Sequence, residues 1–237
     1  METHGLHLAA SATLKEKRLR SLLGGRPEPA ALLEIVADAQ LLGSLELAGF
    51  SFRWDEVRAE RQGRPSPSPI GALRRAQAMA GEGAALSVEL LLAWHGAIVG
   101  NHVGFRREAR LRAPGPPPAP PAFIESRVRL LEEWLGMASG RELKPIPAAA
   151  LALARIMEIL PFETANGRLA RLAASNLMRH GGLRPPILVR GDAARLEAAL
   201  QAAFQLETGP LGLLLEQAAE RALDVMIRTL EAGAGGP

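Results

Sequence analysis

The segment LPFETANGRLAR occupies residues 160–171 and determines how the rest of this sequence is interpreted. Before it, apolar residues in 148–159 recur at steps of three and four, which predicts a buried helix. After it, residues 167–179 return to a helical pattern. The segment therefore joins two helices. The first N–H groups of a helix have no partner within it, so the start of the second helix is suited to an anion.

The residue types in this segment also suit an anion. Asn166 and Gly167 tolerate the positive φ angles of a curled loop. Arg168 and Arg171 are three residues apart, so both guanidinium groups can reach one face of the first helical turn. Two readings stay open, a phosphate site and an ordinary turn with solvated arginines. Arginine fits the positive end of a helix dipole poorly, which favours an anionic partner.

Most of the remaining chain has the periodicity of helices. These helices are predicted over residues 30–48, 52–61, 72–80, 87–99, 123–137, 193–204 and 211–230. The runs 65–69 and 114–121 are rich in proline, which lacks the donor that a helix needs, so both are expected to be loops. The predicted fold class is mainly α, a helical bundle with at most a small β-hairpin near residues 104–112.

The segment 160–171 resembles the motif of the Fic family (Fic/Doc, or Fido), written His-Pro-Phe-x-Asp/Glu-Gly-Asn-Gly-Arg-x-x-Arg. The matching residues are Pro161, Phe162, Asn166, Gly167, Arg168 and Arg171, and the departures are Leu160, Thr164 and Ala165. Trp94-His95 and Gly104-Phe105-Arg106 are similar to further family segments, and the resemblance spans roughly residues 44–204. It implies a bacterial-type helical domain that binds a nucleoside triphosphate with Mg²⁺ and transfers a nucleotidyl group, usually AMP, to a protein hydroxyl.

Each departure from the motif removes part of that chemistry. The motif His serves the family as general base, a role worth ~10²- to 10⁴-fold in rate, and Leu160 has no lone pair. The acidic residue holds the metal, whereas Thr164 offers one neutral oxygen. Ala165 replaces a glycine, which costs on the order of 1 kcal/mol if the loop requires a positive φ there.

The resemblance thus assigns a binding site without a catalytic residue or a metal ligand. The residues expected to bind phosphate or nucleotide are Thr164, Ala165, Asn166, Gly167, Arg168 and Arg171. Pro161 and Phe162 are expected to anchor the loop in the core. The expected ligand is ATP or another nucleotide, with weak Mg²⁺ dependence or none.

A second departure lies near the amino terminus. Many family members have an inhibitory helix with the pattern Ser/Thr-x-x-x-Glu-Gly/Asn, whose Glu pairs with the second motif Arg. The segment from Ser44 to Gly49 resembles this pattern in register, with Ala48 where the Glu would be. The inhibitory carboxylate is therefore expected to be missing together with the general base.

Composition and charge restrict the remaining classes of function. The chain has 237 residues, no cysteine and a formal net charge of +3, which favours a cytoplasmic protein and gives no indication of nucleic-acid binding. Its apolar runs are far shorter than the ~20 residues of a membrane helix, so no membrane association is expected. The histidines show no spacing typical of a metal site. A homo-oligomer is left open.

The sequence predicts a degenerate Fic-like protein that retains a phosphate- or nucleotide-binding loop and lacks nucleotidyltransferase activity. The alternatives are an active AMP (nucleotidyl) transferase with an unusual proton transfer, and a purely structural or interaction domain. Residues 1–65 are expected to form a helical extension that resembles the inhibitory-helix region, 70–205 the Fic-like core, and 206–237 a final helix and tail. A protein partner is expected at the flap region, residues 106–120.

Overall fold

A computed structural model describes residues 2–62, 69–81, 85–101, 104–110, 116–137 and 143–234; the side chains of 2–10, 81 and 234 are not described. Within those ranges the chain forms α-helices and two short 3₁₀ turns, and it contains no strand. The α-helices are α1 (Glu2–Leu23), α2 (Ala30–Glu46), α3 (Trp54–Arg61), α4 (Pro69–Gly81), α5 (Val88–Val99), α6 (Ile124–Gly136), α7 (Pro145–Ile159), α8 (Asn166–His180), α9 (Ala193–Phe204) and α10 (Gly209–Ala234). The 3₁₀ turns are Pro121–Phe123 and Arg190–Asp192. The mainly α fold class is confirmed.

Local sequence explains where several helices begin and end. The Ser87 side chain caps α5 by accepting a hydrogen bond from the N–H of Leu90, and Gly100 ends the helix at a φ of 81°. Proline stands at the first position of α7, where its missing N–H costs nothing. The predicted helices are confirmed with shifts of a few residues at their ends; α7, for example, begins three residues before the predicted 148.

The helices α7 and α8 form the centre of the main core. α7 buries a stripe of small and branched side chains along its length, including Ala149, Ala152 and Ile156. α8 packs against it through residues such as Leu169 and Ala173. Because alanine lets two helix backbones approach closely, the two helices are held rigidly and fix the ends of the loop between them.

A second, smaller hydrophobic cluster joins the two ends of the chain. Leu19 of α1, Val36 of α2 and Met226 of α10 are buried together in it. Lys15 Nζ lies 2.8 Å from the Glu220 carboxylate and so ties α1 to α10. The amino-terminal extension is thus helical as expected, while the proposed division at residues 65–70 and 205–206 stays a prediction.

The flap region is only partly described. Residues 104–110 and 116–120 contain no strand, and residues 111–115 of the expected hairpin and flap lie outside the described residues. Pro65 to Ser68 of the expected linker lie outside them too. In the part of the chain that the structure covers, no helix combines the length and apolarity needed to cross a membrane.

Candidate functional site

The loop between α7 and α8 is curled by two residues in the left-handed region. Leu160 has a φ of 47° and ends α7, and Ala165 has a φ of 64° and precedes α8. For an L-amino acid with a side chain this conformation costs roughly 1–2 kcal/mol. The positive φ angles thus lie at Leu160 and Ala165 and not at Asn166 and Gly167, which already belong to helix α8. The surrounding contacts must hold the loop in this shape.

One such contact is a reciprocal pair of hydrogen bonds across the loop. The Phe162 N–H donates to the Asn166 Oδ1 at 2.9 Å, and the Asn166 Nδ2 donates back to the Phe162 carbonyl at 2.7 Å. Both side chains are buried. Pro161 is held as well, since its carbonyl accepts from the Arg106 N–H at 2.9 Å. Both expected anchors lie in the core, and Asn166 closes the loop beside them.

His95 of α5 packs against the loop and contacts two of its residues. Its ring lies 3.8 Å from the Phe162 ring, centroid to centroid, at an angle of 7°, and its Nε2 is 3.2 Å from the Thr164 carbonyl. A hydrogen on Nε2 donates to that carbonyl, and Nδ1 has no partner among the described residues. Burial lowers the pKa of His95, and the charge of Arg168 lowers it further, against the opposing effect of the Thr164 carbonyl.

Arg106 holds the carboxyl end of α7. Its guanidinium group donates to the carbonyls of Leu160 at 2.7 Å and Ile159 at 3.3 Å, and also to those of Glu108 and Ala119. The last carbonyls of a helix have no hydrogen-bond donor within it and carry its negative partial charge. A cation at this end therefore supplies the missing donors and balances the charge. Arg106 is only 3% exposed, and burial lowers its pKa.

Arg168 and Arg171 lie on the first turn of α8 without an acidic partner among the described residues. Arg171 donates from Nε to the Ser44 Oγ at 3.0 Å and from its terminal nitrogen to the Ser44 carbonyl at 2.7 Å. Arg168 lies over the Phe50 ring, 5.4 Å from its centroid. Burial, followed by the charge of Arg168, lowers the pKa of Arg171 to about 10. Burial also lowers the pKa of Arg168.

Backbone donors point from the same turn. The first hydrogen bond into α8 runs from the Leu169 N–H to the Ala165 carbonyl at 3.0 Å. The N–H groups of Asn166, Gly167 and Arg168 meet no acceptor in the described part of the chain. This one turn therefore combines three unpaired N–H groups, two guanidinium groups and the positive end of the helix dipole. Such a set of donors and positive charge is suited to bind an anion, and we call it the anion receptor.

A cleft of about 340 Å³ opens beside this turn. Gly167 and Arg171 form its edge nearest the loop. Its other lining residues are Leu47, Met157, Ala193, Leu196, Glu197, Leu200, Gln201 and Phe204. The wall is mostly apolar and carries a few polar groups, as in sites that take a small organic ligand.

The loop provides few groups that could bind a metal ion or accept a proton. Leu160 supplies only a hydrocarbon side chain at the position where the family's motif has a base. Thr164 is exposed, and the Glu163 carboxylate lies 3.9 Å from Arg110. Over the described ranges, no three His, Cys, Asp or Glu side chains are grouped as metal ligands. The loop thus carries a hydroxyl group at position 164, where the family's motif has a carboxylate.

The segment expected to resemble the inhibitory helix lies beside Arg171. α2 ends at Glu46, two residues earlier than predicted, and Ala48 is in the turn that follows. Gly49 has a φ of 87°, as expected of a glycine that ends a helix. Within this segment the residue that contacts the second motif arginine, Arg171, is Ser44, which lies four residues before Ala48.

The fold and this site define a mainly helical domain whose two central helices are joined by a curled loop with two arginines. A model of the Fic/DOC family matches residues 85–178, so this part of the chain is similar to a Fic domain. Protein adenylyltransferase fic-1 of Caenorhabditis elegans is 28% identical over 122 residues, which are 50% of this chain and 24% of that protein. Protein adenylyltransferase Fic of Drosophila grimshawi is 26% identical over 121 residues, 51% of this chain and 25% of its own length. The chain spans about a quarter of the length of these curated relatives.

Solved structures show the same fold. Fic-1 of C. elegans (residues 134–508) superposes with a TM-score of 0.75 at 19% identity, covering 93% of this chain and 74% of that one. A Fic-domain signaling protein of Bacteroides thetaiotaomicron has a TM-score of 0.75 at 18% identity, covering 94% and 98%. IbpAFic2 covalently tethered to Cdc42 has a TM-score of 0.55 at 12% identity, covering 87% and 70%.

Three residues of the site have no local sequence signal for the contacts that they make. His95 lies in a segment similar to one of the family's, and it contacts both Phe162 and Thr164. Arg106 lies in another such segment and bonds to the end of α7, and Phe50 lies under Arg168. Only the tertiary packing reveals these contacts, because the partners are up to 118 residues apart (50 to 168).

Proposed function

We propose that this chain is a degenerate Fic-like protein that binds a phosphate-bearing ligand and does not transfer a nucleotidyl group. The observation that carries the proposal is the first turn of α8, which brings together Arg168, Arg171 and three free N–H groups and has no acidic partner within the described ranges. Two cations placed at the positive end of a helix repel each other and the helix dipole. A bound phosphate would relieve both costs.

The chemistry missing from the loop supports the second half of the proposal. A general base must lie within hydrogen-bonding distance of the proton that it removes, and Leu160 has no atom that accepts one. Thr164 cannot replace a carboxylate that neutralises phosphate charge through Mg²⁺. Binding groups and catalytic groups are thus separable in this loop, and only the binding groups are present.

The cleft beside Arg171 favours a nucleotide over a free phosphate. Its apolar wall, with Met157 and Leu200, suits the flat face of a base, and Glu197 and Gln201 can hydrogen-bond to a base edge. We propose ATP or another nucleotide as the ligand, with little dependence on Mg²⁺. The curated relatives are named protein adenylyltransferases, so AMP transfer is the activity to test as the alternative.

The first experiment asks whether transfer occurs. The purified protein is incubated with ATP labelled in its α-phosphate, with Mg²⁺, alone and with a cell lysate. We expect no labelled protein, because the loop lacks a base and a carboxylate. Labelling that disappears in the Arg168→Ala variant would overturn the proposal and establish the transferase.

The second experiment measures binding to the anion receptor. Titration calorimetry with ATP, ADP and GTP is done with and without Mg²⁺ on the protein and on Arg168→Ala. Hydrogen bonds to charged groups contribute about 1.5–3 kcal/mol, so we expect affinity to fall by roughly 10- to 100-fold. Arg228→Ala is the matched control, because Arg228 is exposed on α10 and is not among the residues that line the cleft.

Arg168 is the better arginine to remove. Arg171 also bonds to Ser44 of α2, so its loss is expected to reduce stability together with affinity. If no phosphate compound binds to the folded protein, and Arg168→Ala lowers its melting temperature markedly, the purely structural alternative is favoured.

Repair of the motif provides a third test. The variant Leu160→His, Thr164→Asp and Ala165→Gly restores the base, the metal ligand and the loop glycine. We expect Mg²⁺-dependent self-labelling from the triple variant and little from the single changes, because these groups act as a unit. No inhibitory carboxylate stands at Ala48 to oppose it. A folded triple variant that binds ATP with Mg²⁺ and transfers nothing would show that the loss of activity extends beyond the motif.

A protein partner at residues 106–120 remains part of the proposal. Arg107 and Arg110 are exposed there, and Arg106 fixes the start of the segment against α7. IbpAFic2, which shares the fold, has been captured with Cdc42. A cross-linking residue placed at position 107 of this chain would identify such a partner.

A further inference from the structure

An apolar stripe runs along the outer face of α6, on the side of the molecule formed by α6 and α7. Phe123, Leu130, Trp134 and Met137, together with Arg127, are spaced by four, three, four and three residues. Residues at these steps lie on one face of a helix, and this alternation of three and four is that of a helix that packs against another helix. The inner face of α6 is separate, since Ile124, Val128 and Leu131 form it and are buried.

Three of the apolar side chains in this stripe are more than half exposed to solvent. Phe123 is 57% exposed, Leu130 62% and Met137 53%. They are three of the seven large apolar side chains that are exposed in the described part of the chain. A concentration of this kind on one helix face is typical of a surface that another protein covers.

A groove continues the stripe toward α7. Leu130 and Trp134 line one side of it, and Leu151, Arg155 and Ile159 line the other. Arg155 is already paired with Glu158 on the same helix, at 2.5 Å. A helix laid along the stripe would therefore contact both α6 and α7.

The charges beside the stripe indicate what that helix is. Arg127 and Glu133 are both exposed and have no partner among the described residues, although the neighbouring Arg129 pairs with Glu125. They lie three residues to either side of Leu130. In a two-fold pairing of antiparallel helices that cross at Leu130, position 127 of one helix faces position 133 of the other.

We propose that the α6 stripe is a homodimer interface in which two copies of this chain pair their α6 helices antiparallel about Leu130. Arg127 of each copy then meets Glu133 of the other, so two interchain ion pairs flank a contact between the two Leu130 side chains. At the ends, Phe123 of each copy meets Met137 of the other, an aromatic and sulfur contact that is favourable in itself. The surface is self-complementary in charge as well as in apolarity.

The interface is expected to be modest in size. A helix of 13 residues is about 20 Å long, and a stable interface usually buries roughly 800 Å² on each partner. The groove along α7 must therefore contribute, and the dimer is expected to dissociate in the micromolar range.

The test is sedimentation velocity over a range of protein concentrations, with circular dichroism to confirm folding. We expect a concentration-dependent dimer. Leu130→Asp should weaken it by about 30-fold or more, since a charge is placed at the centre of the interface. Arg127→Glu and Glu133→Arg should each weaken the dimer, and the double variant should restore it, because the reversed charges pair again.

Arg129→Glu is the matched control. It makes the same change in charge on the same helix but away from the stripe, so the dimer should be unaffected. A protein that stays monomeric at every concentration would overturn the proposal, and so would a dimer that Leu130→Asp leaves intact. Failure of the double charge reversal to restore the dimer would reject the antiparallel register about Leu130.

Discussion

Replacing Ala165 with glycine should stabilise the protein. Ala165 has a φ of 64°, a conformation that costs an alanine roughly 1–2 kcal/mol and costs glycine nothing. Glycine also makes the unfolded chain more flexible, which removes about 0.4–1 kcal/mol of that gain. The net expectation is a gain of roughly 0.5–1 kcal/mol in the free energy of unfolding, or a rise in melting temperature of about 1–4 °C for a chain of this size.

The assay compares two alanine-to-glycine changes that are chemically the same. Ala198 is exposed within the right-handed helix α9, where glycine costs about 1 kcal/mol, so Ala198→Gly should lower stability. Urea denaturation of both variants gives the two free energies. If Ala165→Gly destabilises as much as Ala198→Gly, residue 165 is not in the left-handed conformation and the geometry of the anion receptor is wrong.

Three further outcomes follow from the structure. Leu206 has a φ of 69° just after α9 and is 78% exposed, so Leu206→Gly should raise the melting temperature by a similar amount in the same assay. Asn166→Ala should cost about 2–3 kcal/mol in urea denaturation, because the Phe162 N–H and carbonyl are left buried without partners, and a near-neutral effect would mean that water replaces the side chain. Burial lowers the pKa of His95 in the folded state, so the unfolded chain binds a proton at a higher pH and the free energy of unfolding should fall as the pH drops below about 6.5. His95→Gln should flatten this pH dependence. An unchanged slope between about pH 5 and 6.5 would show that other groups cause it.

Much of the architecture could be predicted from local patterns. The apolar periodicity of α7 and α8 and the proline that opens α7 are properties of short segments, and these indicated two central helices with a loop between them. The resemblance of residues 160–171 to a known motif located the candidate site and indicated which residues of the motif are missing. Such features depend on neighbours within a few turns, so one sequence is sufficient to reveal them.

The sequence by itself determined the helical fold class, the location of the loop and the absence of a base at residue 160. Only the tertiary structure decided what holds that loop. His95 stacks on Phe162, Arg106 caps the carboxyl end of α7, and Ser44 accepts a hydrogen bond from Arg171. The partners in each of these contacts are far apart in the sequence. The physical reason is that helical periodicity shows which face of a helix is buried, whereas the partner on that face depends on how distant helices pack together.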